Sequence, residues 1–521
     1  MISPSQESGL PETTPTLIDK LLAEQQELYT AVNEIADKID SGEVRTDTYK
    51  HLIPLEKPKK GEQYAFQVEL DKCTSCKACV AACHSLNGLE DKEAWRDVGL
   101  ILGGDEDPAY QQTVTSACHH CLEPQCMHGC PVKAYEKDED TGIVRHLDDQ
   151  CIGCEYCSLK CPFDVPKYSS RLGIVRKCDM CYQRLEVGES PACVQACPNE
   201  AIKIVTVNTE TLRPELEDKR GFIKGAPLPN ITLPTTQYIG RNVPKTAKPA
   251  DQEKLIPAPS HLPLVFMLAL TQAGVGAYLA AAHQLGFIES LIATALFFTG
   301  LSCSILHLGR PLGAWRFFLG LKTSWLSREI LAFSMFAPVA LIFTAILTRE
   351  ASIIQSFNLS FRLIDDFKIL DYISISLCII GLIAVFTSVM IYHDTARKNW
   401  HLKWSIPAFF GTTFAFTGIF LTELNPLWAL FLAIPLITDL CAVFPAFGKN
   451  TGSWSPHLHR ARLMWAPLKK DTIIRMICGV LAILLAPVNH YLALPFLIAG
   501  ELLSRLLYFR AVHSPKMPGN F

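Results

Sequence analysis

Sixteen of the chain's twenty cysteines lie between positions 73 and 197, in four groups of four. Group one is Cys73, Cys76, Cys79 and Cys83, spaced C-x2-C-x2-C-x3-C. Group two is Cys118, Cys121, Cys126 and Cys130, with four residues in its middle gap. Group three, Cys151, Cys154, Cys157 and Cys161, repeats the first spacing, and group four, Cys178, Cys181, Cys193 and Cys197, has a longer central gap. Pro131, Pro162 and Pro198 follow the last cysteine of groups two, three and four, and His84 stands there in group one. Such runs ligate iron–sulfur cubanes. Three close thiolates wrap one cluster, and the fourth is carried toward the neighbouring one. Zinc would use the C-x2-C pairs but gives no reason for the x3-C-P tail. The N-terminal MISPSQESGLPETTPT has no basic segment and no apolar run, so it is not a signal peptide. Synthesis in a reducing cytosol is therefore expected, which disfavours disulfides. Met127, His119, His120 and His128 lie among the thiols. With a full cysteine count they are expected to pack around clusters rather than bind metal. Four clusters in a row make an electron wire, rather than four structural staples.

Short strands must position these loops. Tyr64, Phe66, Val68 and Leu70 alternate with Ala65, Gln67 and Glu69 just before group one, and AIKIVTV (201–207) follows group four. This grammar predicts a ferredoxin-like α+β domain over 61–210, made of two double-cluster halves. Residues 1–60 form an extension. Within it Ile18, Leu21, Leu28, Val32, Ile35 and Ile39 recur at helical spacing, predicting an amphipathic helix docked on its own protein, or on a partner subunit. Residues 214–263 hold nine prolines, so 211–262 is expected to be an extended wrap.

The averages conceal the other half. Formal net charge is −3, 19% of residues are charged and mean hydropathy is +0.19. This near-neutral balance gives no reason to propose nucleic acid as a partner. From 263 to 521, however, apolar stretches run at about 263–283, 287–306, 330–348, 373–392, 404–422, 426–447, 473–488 and 491–509. Each approaches the ~20 residues that cross a bilayer as a helix, so an all-α bundle of eight spans is expected, the seventh being the shortest. Eight spans put the 2/3, 4/5 and 6/7 loops on the side of the cysteine domain. Those loops carry Arg310, Arg316, Lys322, Arg328, Arg397, Lys398, Lys403, Lys449, Arg460, Arg462, Lys469 and Lys470. The opposite side has Arg349, Arg362 and Lys368. By the positive-inside rule the cysteine domain is cytoplasmic, unless an exported partner carries it across.

Ionisable groups near an apolar slab default to function or to internal pairing. His307 leaves span 2 and Glu329 enters span 3, both on the cysteine-domain side. A quinone site needs such proton-exchanging groups at the mouth of an apolar slot. The competing expectation is that His307 caps a helix and Glu329 pairs with Arg328 or Arg310. Glu501 and Arg505, four residues apart, are expected to pair with each other. Asp439 and His393 also lie toward the cysteine-domain side, without an assigned role. Cys303, Cys378, Cys441 and Cys478 read as packing residues.

Residues 64–207 resemble the iron–sulfur subunit of the DMSO reductase and nitrate reductase families, through CTSCKACVAAC, CHHCLEPQCMHGCP, CIGCEYCSLKCP and KCDMC…CVQACP. The resemblance implies that group one shares clusters with group four, and group two with group three. The implied ligand sets are Cys73/Cys76/Cys79 with Cys197, Cys178/Cys181/Cys193 with Cys83, Cys118/Cys121/Cys126 with Cys161, and Cys151/Cys154/Cys157 with Cys130. Some relatives replace one cysteine of group three and hold a three-iron cluster. Cys154 is present here, implying four [4Fe–4S] clusters, with the pair from groups two and three nearest the membrane. HLGRPLGAWRFF (307–318) and TSWLSREI (323–330) resemble the DMSO reductase membrane anchor, whose quinol-site histidine and acid fall on His307 and Glu329. The whole then resembles a fusion of those two subunits. It would pass electrons between a membrane quinone and a separate molybdopterin catalytic subunit. The polysulfide reductase anchor shares HLGRP but lacks SWLSRE and is the second resemblance. Reverse, quinone-reducing flow and a redox sensor without a quinone site are the functional alternatives.

Overall fold

The structure is a computed structural model. It describes residues 17–27, 37, 41, 46–91, 93–103, 110–240, 243–244, 246–350, 367–395, 397–421, 425–448 and 454–519. The strands of the cysteine half are β1 (Glu62–Glu69), β2 (Asp97–Gly103), β3 (Tyr110–Ser116), β4 (Tyr135–Lys137), β5 (Val144–His146), β6 (Lys167–Ser169), β7 (Ile174–Arg176), β8 (Ile202–Asn208), β9 (Gln237–Ile239) and β10 (Lys248–Pro249). β1 and β8 pair antiparallel, with Phe66 opposite Ile204. Their ends lead into Cys73 and out of Cys197, so the first and last groups meet. The β4–β5 hairpin joins group two to group three and β6–β7 joins three to four. The folding topology thus interleaves the four groups.

The proline-rich segment is more regular than expected. Thr209–Glu217 is helical despite Pro214, because Asn208 caps it by accepting from the backbone N–H groups of Glu210 and Thr211. β9 adds to β1 in parallel and β10 to β2 antiparallel, so the wrap supplies edge strands, where proline is tolerated. The N-terminal helix is described over Leu17–Glu27, and there the expected docking on its own protein is not seen: Leu17, Ile18 and Leu21 are exposed. Leu28, Val32, Ile35 and Ile39 lie outside the described residues.

The helices in chain order are α1 (Leu17–Glu27), α2 (Ala78–Leu86), α3 (Gln125–His128), α4 (Tyr156–Lys160), α5 (Tyr182–Glu186), α6 (Ala192–Gln195) and α7 (Thr209–Glu217). In the second half come α8 (Leu262–Gln284), α9 (Phe287–Ile305), α10 (Trp325–Glu350), α11 (Phe367–His393) and α12 (Leu402–Leu421). They continue with α13 (Leu430–Val443), α14 (Pro456–Trp465), α15 (Lys469–Leu485) and α16 (His490–Arg510). Among the described residues seven helices are long and apolar enough to cross a membrane, the sixth being α13 with its flanking turns. The protein is an integral membrane protein. α8 is the bundle's axis, with 83% of its apolar window buried. On α11, Ile375, Ile379, Ile383 and Phe386 face outward on one stripe. That is the pattern of a lipid-facing surface, where apolar side chains need no partner.

α15 has 17 residues, about 26 Å at 1.5 Å per residue, and is shorter than each of the seven candidate spans. Its two faces differ sharply. Ile473, Ile477, Val480 and Leu484 are exposed, while Thr472, Arg475, Gly479 and Ala482 are buried. Arg475 donates to Asp439 on α13 (2.9 Å) and to Glu501 on α16 (2.8 Å). This corrects the expected Glu501–Arg505 pair. Arg505 instead donates to Gln272, Thr412 and the Ala408 carbonyl, and its guanidinium lies 4.2 Å from the Phe409 ring centre. Spacing along one helix could not reveal the nearer cation on its neighbour.

Candidate cluster sites and the membrane junction

The cysteine loops share one backbone device. The residue just before the second cysteine of each group has a left-handed φ: Ser75 (62°), His120 (40°), Gly153 (68°) and Met180 (62°). Such a turn aims successive N–H groups into one concavity, a setting for anionic sulfur. The Gly153 and Met180 N–H groups donate to Cys151 and Cys178 Sγ, both at 3.4 Å. The residue four past the last cysteine does likewise. Ala134 N–H donates to Cys130 Sγ at 3.2 Å and Ala201 N–H to Cys197 Sγ at 3.3 Å. Group one lacks the proline, and there the Asn87 side chain reaches Cys83 Sγ at 3.6 Å instead.

Tertiary folding brings the quartets together across the groups. One cavity is lined by Cys73, Cys76, Cys79 and Cys197, with Val98 and Ile202 behind them. Another is lined by Cys118, Cys121, Cys126 and Cys161, with Val144, Phe163 and Val165. Cys154 and Cys157 both face Cys130 and Cys151. Cys83 faces Cys193 and Cys181, and Cys178 faces Cys83 and Cys193. Burial first, and then the neighbouring sulfurs, push Cys83 up to about 12. Burial also pushes Cys161 and Cys181 up to about 11. Thiolates crowded in apolar walls need a cationic body at their centre, and metal binding is what deprotonates them. Among the described residues no three His, Cys, Asp or Glu side chains close around a single-ion site. The donor chemistry and spacing fit a larger sulfur-rich cluster better than zinc.

His119 and His120 are buried packing residues. His119 Nδ1 meets Thr236 Oγ1 at 2.8 Å, and His120 Nδ1 accepts from the Val144 N–H at 3.0 Å. Met127 and half-buried His128 lie in the short helix α3 between Cys126 and Cys130.

The anchor grips the Cys151 loop through residues 307–327. His307 Nε2 donates to the Cys154 carbonyl at 3.0 Å. The Arg310 N–H donates to the Ile152 carbonyl (3.0 Å), and its guanidinium to the Asp148 carbonyl (2.9 Å). Ser324 Oγ donates to the Gly129 carbonyl at 2.7 Å. Gly309 sits where a Cβ would lie 2.2 Å from the Gly173 carbonyl oxygen, and a Cβ on Gly153 would be 2.4 Å from that same oxygen. On the far side of the loop Tyr156 donates to the Ile391 carbonyl (3.1 Å), and Lys160 pairs with Asp394 at 2.7 Å. Sequence reasoning missed this clamp from Tyr156, Lys160 and Asp394, since nothing in their local spacing marks a contact so distant along the chain. Beside it opens a cavity of about 790 Å³ whose lining includes Glu155, His261, Arg397, Trp400 and Phe509.

His307 is therefore no helix cap. It is half-buried, and burial lowers its basicity although the Cys154 carbonyl partly restores it. Its ring meets His261 edge-on at 6.3 Å. Glu329 is buried and pairs with neither Arg328 nor Arg310. Arg328 donates to the Leu321 and Lys322 carbonyls, and Glu329 accepts a hydrogen bond from Ser388 on α11. No hydrogen bond joins His307 to Glu329. His307 touches the Cys151 loop directly, and Glu329 is tied through Ser388 to α11, whose Ile391 carbonyl accepts from Tyr156 of that loop.

Comparison with known proteins follows the same division. A 4Fe-4S dicluster domain model matches residues 110–207, and a model of the DMSO reductase anchor subunit (DmsC) matches 259–427. The B component of anaerobic dimethyl sulfoxide reductase from Haemophilus influenzae is 36% identical over 185 residues, 33% of this chain and 87% of the relative. The protein belongs to the family of that DMSO reductase B component. Its counterpart in Escherichia coli K12 is likewise 36% identical over 176 residues, 32% of this chain and 82% of that relative. The formate dehydrogenase-O iron–sulfur subunit of the same organism is 33% identical over 162 residues, 28% of this chain and 54% of that protein. This member of the DMSO reductase B-component family is thus an iron–sulfur electron-transfer protein fused to its own DmsC-type membrane anchor.

Proposed function

We propose that the protein is the electron-transfer and anchor subunit of a quinol-linked oxidoreductase. In this reading it carries electrons between a membrane quinone site and a partner molybdopterin catalytic subunit through four [4Fe–4S] clusters. The ligand sets are those in which the quartets meet: Cys73/Cys76/Cys79/Cys197, Cys178/Cys181/Cys193/Cys83, Cys118/Cys121/Cys126/Cys161 and Cys151/Cys154/Cys157/Cys130. When bound, the clusters supply one-electron transfer over a wide span of potentials. The observation that carries the reading is the bond from His307 to the Cys154 carbonyl, which sets a proton-accepting side chain against a cluster loop at the membrane face.

The proton chemistry follows from the partners. With Nε2–H committed to the carbonyl, the neutral imidazole of His307 presents Nδ1 as an acceptor for a quinol hydroxyl. Glu329 is the second acceptor, and the Ser388 hydroxyl orients its carboxyl. Quinol then binds between α9 and α10. The eight-span topology includes α15, whose outward apolar stripe and inward Arg475 suit a helix in lipid. The basic 2/3, 4/5 and 6/7 loops favour a cytoplasmic cluster domain in the inner membrane. The DMSO reductase relatives support a catalytic partner of the same kind.

Glu329→Gln and His307→Ala test the site. Each is expected to slow quinol-dependent cluster reduction by about 10²–10⁴-fold, the range of a lost general acid–base group. Iron content and dithionite reduction should stay at the wild-type level. Wild-type quinol rates in both variants would overturn the assignment.

A further inference from the structure

Two buried cations of the cluster domain form no ion pair with a carboxylate among the described residues. Arg96, 2% exposed, donates from Nη1 to Thr115 Oγ1 at 3.2 Å, and its guanidinium lies 4.6 Å from the Phe66 ring centre. Its Nε and Nη2 have no hydrogen-bond partner among the described residues. Lys177, 3% exposed, donates to the carbonyls of Val144 and Cys178. Neighbouring cations fare differently, since Arg176 reaches Glu93 at 3.5 Å and Lys160 reaches Asp394. A buried charge without a counter-charge is costly, so an anion must face each of these two.

The anions are chiefly cysteine sulfurs, drawn each time from two quartets. Burial opposes the charge of Arg96, yet Cys193, Cys79, Cys178 and Cys83 hold it above the ordinary arginine value. Cys79 belongs to the Cys73 quartet and the other three to the Cys178 quartet. Lys177 lines the same cavity as Cys118, Cys121, Cys126 and Cys161, and its bond to the Cys178 carbonyl, 2.9 Å, sets it at the start of the Cys178 quartet. It thus stands between the Cys118 and Cys178 quartets. Thr115 Oγ1, which accepts from Arg96, lies 3.6 Å from Cys79 Sγ and can relay the cation's pull to that sulfur.

We propose that Arg96 and Lys177 are built-in counter-ions at two successive junctions of the electron wire, each raising the reduction potentials of the two clusters it lies between. Arg96 serves the Cys73 and Cys178 clusters, and Lys177 the Cys178 and Cys118 clusters. A cluster gains one negative charge on reduction, and a nearby buried cation favours that more negative state. The Cys178 cluster is the one that both cations serve. The inference rests on the reading that the quartets hold clusters.

The test is an EPR-monitored redox titration of the full chain in its membranes, with iron measured alongside. In Arg96→Gln two midpoints fall, by about tenfold in reduction equilibrium constant, or about 59 mV for a one-electron step. In Lys177→Met two also fall, and one cluster moves in both variants. Arg96→Lys keeps the charge and stays near wild type. Four wild-type midpoints in iron-replete Arg96→Gln overturn the proposal, and so does an Arg96→Lys shift as large as that of the glutamine variant. Should Arg96→Gln fail to assemble, Thr115→Val decides the matter. Loss of the relay lowers the Cys73-cluster midpoint alone, and an unmoved midpoint overturns the proposal. A wild-type protein without iron would instead refute the cluster reading beneath it.

Discussion

Gly309→Ala tests how closely anchor and cluster loop are pressed together. A Cβ at this position would lie 2.2 Å from the Gly173 carbonyl oxygen, whereas ordinary contact begins at 3.4 Å. The backbones must therefore part by about 1 Å, an overpacking that costs roughly 1–3 kcal/mol. That is too little to unfold a protein of ordinary stability. It is enough to stretch the flanking bonds, His307 to Cys154 and Arg310 to Ile152, both 3.0 Å, beyond hydrogen-bond range. A misplacement of about 1 Å between reacting groups costs about 10²-fold in rate. The assay is stopped-flow reduction of cluster absorbance in membranes, by a soluble quinol and separately by dithionite. Quinol-driven reduction should fall about 10²-fold, with the dithionite-reducible amplitude and the iron content unchanged. A wild-type quinol rate would show that the glycine contact does not set the geometry. An equal loss with dithionite would show that the damage lies in the clusters rather than at the junction.

Three further outcomes follow from the same contacts. Arg475→Leu leaves Asp439 and Glu501 buried without their cation and should destabilise the anchor by about 3–5 kcal/mol, read as earlier thermal unfolding in detergent. Combining it with Asp439→Asn and Glu501→Gln should recover much of the loss, and a triple variant no better than the single one would contradict that charge argument. His513 is held down to about 4 by burial, with His459 and the nearby cations adding to it. Its unfolded value is near 6.5, so its contribution to stability is present above about pH 6.5 and lost as pH falls toward 4. His513→Phe should flatten thermal stability across that window, and an unaltered pH profile would refute the assignment. Purified protein should carry about sixteen irons and no stoichiometric zinc by elemental analysis, as four cubane clusters require.

Local chemistry made much of this protein legible. The cysteine spacing, the flanking strands and the apolar runs are properties of neighbouring residues, and each survives in the fold: strands β1 and β8, the left-handed turns and the long apolar helices. The motif at 307–318 likewise drew attention to His307 at the membrane face, though not to its bond with the Cys154 carbonyl. What spacing alone left open was pairing at a distance. A thiol's position in its run cannot say whether group one meets group two or group four; antiparallel β1 and β8 decide that by joining segments from opposite ends of the cluster domain. Only tertiary packing turned Glu501 toward Arg475 rather than Arg505, placed Ser388 against Glu329, and drew proline-rich residues into edge strands. It also left Arg96 and Lys177 facing sulfur rather than an ion-paired carboxylate, because the electrostatics of a buried charge depend on every segment that surrounds it.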